Sequence, residues 1–251
     1  MSSTNLWVAS KFSIEGARIS GSRDVRELAP ASRILADLVG DFYSSAFPRY
    51  VSGDLIDLGC GKAPLLGAYR DRCSSVVLAD WANSPHENPL LNIVIDLNKP
   101  LDVLDSNAFD VVILSDVLEH ICEPAALMME ISRILKPGGR LLMNVPFAYW
   151  IHEAPHDYYR YTRYALEMFA RQSGLRVIEL KPLGGWIEVM ADLWAKMLAR
   201  TRVALLPALV HRCVMAFNRT AVGRKVAART GEVLPLGYAM VVQKPMAEAQ
   251  R

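Results

Sequence analysis

Apolar positions along the chain follow two rhythms. Short runs of apolar and β-branched residues predict strands at 53–58, 75–80, 91–97, 108–115, 140–146 and 175–181, with one later strand-like run at 237–244. Between them apolar residues recur at helical spacing. Ile34, Leu35, Leu38, Val39 and Phe42 predict a helix over 31–47, with Pro30 in its first turn and Pro48 limiting its end. Shorter helices are predicted at 65–72, at 123–135 with Pro124 in the first turn and Pro137-Gly138-Gly139 closing it, and at 162–173 between a Thr162 cap and Gly174. Strands alternating with helices imply an α/β fold, a mostly parallel sheet with helices on both faces.

Two stretches stand outside this alternation. Residues 1–29 are mixed and rich in serine and arginine, and read as a loosely packed arm. Residues 184–234 are far longer than a strand connection needs. Ile187, Met190, Leu193, Trp194, Met197 and Leu198 keep helical spacing, and Val203 to Val210 is apolar around Pro207. From Ala195 to Gly231 there is no acid, while Lys196, Arg200, Arg202, Arg212, Arg219, Arg224, Lys225 and Arg229 are basic. One reading is a helical cover or homodimer surface with solvated arginines. The other is a lid on the acceptor side that meets a lipid-linked or anionic substrate, or makes peripheral contact with a membrane surface.

With 251 residues and 52% hydrophobic content, the chain has room for one domain with an appendage. A net charge of +2 argues neither for nucleic acid nor for a strongly acidic partner. Cys60, Cys73, Cys122 and Cys213 lack paired metal spacing, which suits a reduced, cytoplasmic location. Lys11 and Glu15 interrupt any signal-peptide pattern, and no apolar run is long enough for a membrane span.

The chemistry centres on Asp54-Leu55-Ile56-Asp57-Leu58-Gly59-Cys60-Gly61. A strand runs into a glycine turn, where the backbone can approach a ligand closely. A dinucleotide site would want a third glycine where Pro64 stands, and no acid where Asp57 stands. A nucleoside carrying positive charge and no pyrophosphate fits better, and S-adenosylmethionine meets that description.

Asp57-Leu58-Gly59-Cys60-Gly61 resembles the first motif of the class I S-adenosylmethionine-dependent methyltransferases. Val76-Val77-Leu78-Ala79-Asp80 resembles their second strand with its ribose-binding acid, Phe109 to His120 their fourth strand and exit loop, and Leu135 to Leu142 the turn into the fifth. Ala63-Pro64 departs from the small glycine frequent in the first motif. The resemblance covers 50–181 and implies a seven-stranded Rossmann-like sheet whose last strand is antiparallel and slips between neighbours. It divides the chain into an N-terminal helical flap (1–52), a cofactor-binding core (53–183), a helical insertion or lid (184–234) and a final strand with tail (235–251). Its cofactor residues here are Asp57, Gly59, Cys60, Gly61, Asp80, Trp81, Asp96, Leu97 and Ser115. Asp57 would lie near the ligand ammonium and Asp80 would take both ribose hydroxyls. Asp96 with the Leu97 amide would read the adenine edge, and Ser115 would lie beneath the sulfonium.

Methyl transfer to a hydroxyl needs alignment, exclusion of water and a base. Two clusters after strand ends offer one: Asp116 to His120, and His152 to Thr162. In the second, His156 oriented by Asp157 is the expected base, and His152, Tyr158, Tyr159, Arg160 and Tyr161 the expected acceptor wall. His120 is the alternative base, or an ordering hydrogen bond in its loop. A plain packing role for the tyrosines and arginine competes with both. The His–Asp–Tyr–Tyr–Arg–Tyr–Thr string resembles methyltransferases of bacterial polysaccharide and glycolipid biosynthesis, which implies a small-molecule or oligosaccharide acceptor methylated on a sugar hydroxyl. Magnesium on Asp116, Glu119 and Asp157 is a further option, whereas Pro155 argues against zinc on His152 and His156. A quinone-like or lipid acceptor, and a non-catalytic S-adenosyl-ligand-binding partner subunit, are the alternatives. The amino-directed Asn/Asp-Pro-Pro-aromatic motif of nucleic-acid-directed relatives is absent after the fourth strand, where Ser115-Asp116-Val117-Leu118 stands.

Overall fold

The structure is a computed structural model that describes residues 7–200 and 205–246. Residues 1–6 of the expected flap, Arg202 and Val203 of the basic segment, and tail residues 247–251 lie outside the described residues. Nine strands are described: β1 (Phe12–Glu15), β2 (Arg18–Gly21), β3 (Gly53–Leu58), β4 (Cys73–Asp80), β5 (Ile93–Val94), β6 (Phe109–Ser115), β7 (Leu135–Pro146), β8 (Arg176–Leu183) and β9 (Gly237–Gln243). The helices are α1 (Arg33–Tyr50), α2 (Leu66–Tyr69), α3 (Pro124–Ile134), α4 (Arg163–Gln172), α5 (Trp186–Ala199), α6 (Leu205–Asn218) and α7 (Ala221–Gly231).

Strands β3 to β9 form one sheet in the order β5-β4-β3-β6-β7-β9-β8. β3 to β7 pair in parallel, and β9 runs antiparallel between β7 and β8. The period of two along each strand builds two cores. Leu55, Val111, Ile113, Leu142, Ala239 and Val241 face α1 and the β1–β2 hairpin. Ile56, Val112, Leu114, Leu141, Met143, Met240 and Val242 face α3 and α4.

Four local expectations need correction. The strand expected over 91–97 shrinks to Ile93–Val94, because this is the sheet edge and Asp96 turns the chain away by accepting from the Asn98 amide at 3.0 Å. Pro48 does not end α1: only its own N–H is lost, and the Val51 amide still bonds the Phe47 carbonyl at 3.1 Å. Pro137-Gly138-Gly139 lies within β7, whose pairing with β6 jumps from Phe109–Leu135 to Val111–Arg140. The N-terminal stretch is not helical alone. Phe12, Ile14 and Ile19 alternate with polar residues around a Gly16-Ala17 turn, and the resulting hairpin packs on α1.

Residues 184–234 hold α5, α6 and α7, which connect β8 to β9 and contribute Val189, Ala191 and Val214 to the core on the α1 side. Among the described residues no helix is long and apolar enough to cross a membrane, and all four cysteines are free. One buried carboxylate ties three elements together. Asp37 of α1 accepts from the Gly21 amide at 2.8 Å and from the Arg23 guanidinium at 3.0 Å, and meets His211 Nε2 of α6 at 2.6 Å. Asp37→Ala leaves a buried imidazole and an amide without a partner. It should lower the unfolding free energy by about 3 kcal/mol, read from urea denaturation, with Asp37→Asn losing less. A change below about 0.5 kcal/mol, the range of an ordinary surface substitution, would show that the three elements do not depend on this junction.

Candidate active site

The C-terminal ends of β3 and β4 make one wall of the site. Gly59 and Gly61 have φ of +68° and +52°, a backbone form open to glycine. A Cβ on Gly59 would stand 2.7 Å from Val117 Cγ2. The Gly59 and Cys60 amides both donate to the Ala79 carbonyl, at 2.8 and 3.1 Å. Asn88 closes the turn from outside, donating from Nδ2 to the Gly61 carbonyl at 2.7 Å. Asp57 is buried under this turn and accepts from the Tyr69 hydroxyl at 2.7 Å. Burial pushes its carboxyl up to about 7; the Tyr69 bond opposes the shift and the Asp80 charge adds to it. Asp80 ends β4 and accepts from the Trp81 amide at 2.9 Å.

Asp57, Gly59, Cys60, Gly61, Asp80 and Trp81 thus converge as one rim. Two acids beside a tight glycine turn suit a ribose diol and an ammonium better than a pyrophosphate, so these residues fit S-adenosylmethionine. Asp96, expected with the Leu97 amide to read the adenine edge, follows β5 in a turn. Its carboxylate caps its own turn at Asn98 and pairs with Lys99 at 3.4 Å, while the Leu97 side chain is buried in the core. Ser115 ends β6 and donates to Asn144 Oδ1 at 2.8 Å.

The two histidine clusters, distant in sequence, form one assembly. The Glu119 carbonyl accepts from the Tyr158 and Tyr159 amides at 2.9 and 3.3 Å. The Tyr161 hydroxyl donates to the Leu118 carbonyl and the Tyr159 hydroxyl to the Cys122 carbonyl, both at 2.9 Å. His120 Nδ1 meets the His156 carbonyl at 2.8 Å. The loop after β7 is thereby fastened to the loop after β6.

Asp157 does not orient His156. It takes a two-pronged pair from Arg160, at 2.6 and 2.7 Å, together with the His152 amide at 2.9 Å and His152 Nδ1 at 3.2 Å. A bidentate guanidinium three residues on outcompetes a single imidazole contact. Burial would raise the Asp157 carboxyl, but the Arg160 and His152 bonds outweigh it and hold it at about 2. His156 instead stands edge-on to Trp81, with ring centroids 5.2 Å apart, and its Nδ1 meets the Tyr158 hydroxyl at 3.1 Å. The magnesium trio does not assemble either. Asp116 is taken by Lys11 at 2.6 Å and Asn144 at 2.5 Å, and Asp157 by Arg160.

Three residues of this wall escape the sequence reading, and a fourth, Lys196, enters it only as one of a basic run. Lys11 reaches Asp116 from the N-terminal arm, and nothing local to it marks that role. Asn144 is a buried amide amid Leu141, Leu142, Met143 and Val145, a polar break in an apolar strand that was the available signal. Tyr149 and Lys196 meet across the site: the ammonium lies 3.5 Å from the ring centroid, and Lys196 also pairs with Asp192 inside α5. Lys11, Asp116, Tyr149, His152 and Glu153 bound a small cavity of about 90 Å³.

The raised Asp57 carboxyl has a stability signature. Its ordinary value is 3.8, so between that and about 7 the unfolded chain releases this proton while the folded chain keeps it. The favourable contribution is complete below the lower value and lost as pH rises through the upper one. Asp57→Asn removes the titration. The variant should therefore gain on the parent in urea midpoint as pH rises from about 4 to about 7, and a constant difference would mean that Asp57 is ionised throughout.

The profile of the family described as a methyltransferase domain matches residues 31–198. The ubiquinone biosynthesis O-methyltransferase of Saccharophagus degradans is 25% identical over 199 residues, covering 62% of this chain and 84% of that protein. The enzyme of the same name from Coxiella burnetii is 25% identical over 152 residues, covering 50% and 64%. The match spans less than two thirds of the Coxiella relative's length. Among solved structures, a SAM dependent methyltransferase from Archaeoglobus fulgidus overlays with a TM-score of 0.53 at 15% identity, covering 89% of this chain and 95% of that one. That likeness is one of fold. A family match running from α1 into α5, laid over a sheet of this order, settles the affiliation: the chain belongs to the class I S-adenosylmethionine-dependent methyltransferases.

Proposed function

We propose that this methyltransferase O-methylates a hydroxyl on a lipophilic, quinone-like ring. The observation that carries the reading is α5. Trp186, Met190, Leu193, Trp194 and Met197 leave one flank of this helix apolar and exposed, while Lys196 on the same helix reaches Tyr149 at the acceptor cavity. An apolar tail, or the membrane surface that holds it, suits that flank, with the reacting ring inserted toward Tyr149. The name carried by the Saccharophagus and Coxiella relatives agrees with a ring acceptor.

The cofactor, when bound, supplies an electrophilic methyl on a sulfonium. The chain's own groups do the rest. Asp80 would hold the ribose diol and Asp57 the ammonium, with the glycine turn against the backbone of the methionine part. Ser115 and Asp116, at the end of β6, would line the side where the acceptor approaches. His156, edge-on to Trp81 with the Tyr158 hydroxyl on Nδ1, takes the acceptor proton on Nε2. Asp157 and Arg160 position the loop. A sugar hydroxyl is the second reading, favoured by the exposed rings of Trp150, Tyr158 and Tyr159 beside the site.

The test is a panel of acceptors incubated with S-adenosylmethionine, with the methylated product identified by mass spectrometry. A prenylated dihydroxybenzene should be methylated on oxygen, and free or nucleotide-linked sugars should not. Methylation of the sugars alone would reverse the order of the two readings. With the preferred acceptor, His156→Ala should lower turnover by about 10²- to 10⁴-fold and leave S-adenosylhomocysteine affinity within a few-fold. Asp80→Ala should instead weaken that affinity by about 3 kcal/mol in calorimetric titration; unchanged affinity would remove Asp80 from the ribose site.

A further inference from the structure

Glu119 is the most unusual charged group in the structure. It is fully buried, and neither carboxylate oxygen has a hydrogen-bond partner. A bare buried carboxylate is strongly disfavoured unless something positive meets it. What faces it is two imidazoles. His120 Nε2 lies 3.8 Å and His152 Nε2 3.7 Å from Glu119 Oε1, both beyond hydrogen-bond reach.

The far side of each ring settles which nitrogen is bare. His120 Nδ1 meets the His156 carbonyl at 2.8 Å, and a carbonyl only accepts, so Nδ1 carries the proton. His152 Nδ1 has two acceptors nearest, Asp157 Oδ2 at 3.2 Å and the Trp150 carbonyl at 3.4 Å, with the Arg160 guanidinium farther at 3.5 Å. Its proton belongs on Nδ1 as well. Both bare Nε2 atoms therefore lie nearest the same carboxylate oxygen and give it no donor. Carboxylate or carbonyl behind the imidazole, with a bare nitrogen in front, is how proteins present histidine to a metal ion.

From this geometry we infer that Glu119, His120 and His152 form a binding site for a divalent transition-metal ion such as zinc. The dimensions agree. The three ligand atoms lie within 4.8 Å of one another, and a triangle with sides of 3.7, 3.8 and at most 4.8 Å has its centre no more than about 2.4 Å from each corner, against about 2.0–2.2 Å for zinc–nitrogen and zinc–carboxylate bonds. A shift of a few tenths of an ångström closes the site. Two nitrogens and one oxygen select a borderline ion such as zinc over magnesium, which prefers an all-oxygen octahedron. The exposed Glu153 carboxylate, 3.9 Å from His120 Nε2, is available as a further ligand at the rim. The open side adjoins the cavity that His152 and Glu153 share with Lys11, Asp116 and Tyr149. Binding of the ion stands on this geometry alone. That its open position takes the acceptor hydroxyl, lowering that hydroxyl's pKa, rests on the O-methyltransferase reading above.

The experiment uses the full chain, stripped with chelator and titrated with cobalt(II) and with zinc. One equivalent of cobalt should bind saturably, with the visible absorption of a low-coordinate nitrogen–oxygen site, and zinc should displace it. Glu119→Gln, His120→Ala and His152→Ala should each abolish saturable binding, and Asp157→Asn should weaken it about 10-fold. His156→Ala should bind as tightly as the parent, because His156 contributes only its backbone carbonyl. S-adenosylhomocysteine titration of every variant reports whether the fold is intact, so loss of metal in a folded variant counts for the site. No saturable binding up to millimolar ion, or binding that persists in all three ligand variants, overturns the inference. Either result leaves the methyltransferase assignment untouched, since cofactor binding and methylation are read separately.

Discussion

The buried amide of Asn144 holds α1 and the ends of β6 and β7 together. Its Oδ1 accepts from Tyr43 of α1 at 2.9 Å and from Ser115 of β6 at 2.8 Å, and its Nδ2 donates to Asp116. Asp116 in turn holds Lys11 beside the N-terminal hairpin. Helix, central strand, exit loop and N-terminal arm thus share one hydrogen-bonded chain that runs from the buried Asn144 out to the partly exposed Lys11. Each bond is worth about 1 kcal/mol net. The larger effect is the penalty for leaving any member unpaired there, and it fixes the register of four elements at once.

On the other side of the site, two loops that could each have supplied chemistry alone are knitted into a single body. The Tyr158 and Tyr159 amides and the Tyr159 and Tyr161 hydroxyls go to backbone carbonyls between Leu118 and Cys122. Tyr158 and Tyr159 keep exposed faces, whereas Tyr161, expected in the acceptor wall, is buried as packing against the loop after β6. Helix α5 joins this body through the Lys196 ammonium against Tyr149. Helix α5 and the loop after β7 therefore belong to one mechanical unit.

Sequence made the sheet legible because parallel strands buried on both faces read as continuous apolar runs, and each ends at a turn residue that interrupts the run. It was least reliable where the neighbour is solvent, as at Ile93–Val94. The glycine turn after β3 and the acid that ends β4 were legible for a related reason. Asp57, Gly59, Gly61 and Asp80 are local to their own strand ends, and backbone geometry does most of the positioning. The acceptor wall was not. Which partner Asp157 chooses depends on competition between Arg160, His152 and His156, all within a few residues, and spacing does not rank them. That Glu119 would lie against both His120 and His152 requires knowing that two loops meet, and Lys11 arrives from more than a hundred residues away in the chain.

The place of β9 bears on how the chain assembles on a ribosome. β8 has a single neighbour in the sheet, and that neighbour is β9. Residues 176–183 are therefore synthesised well before any strand exists for them to pair with, and α5 to α7 emerge in the interval. Until residues 237–243 arrive, the outer edge of β7 and both edges of β8 are open to foreign strands. The intervening helices, already able to pack on α1, are what can shield that gap during the wait.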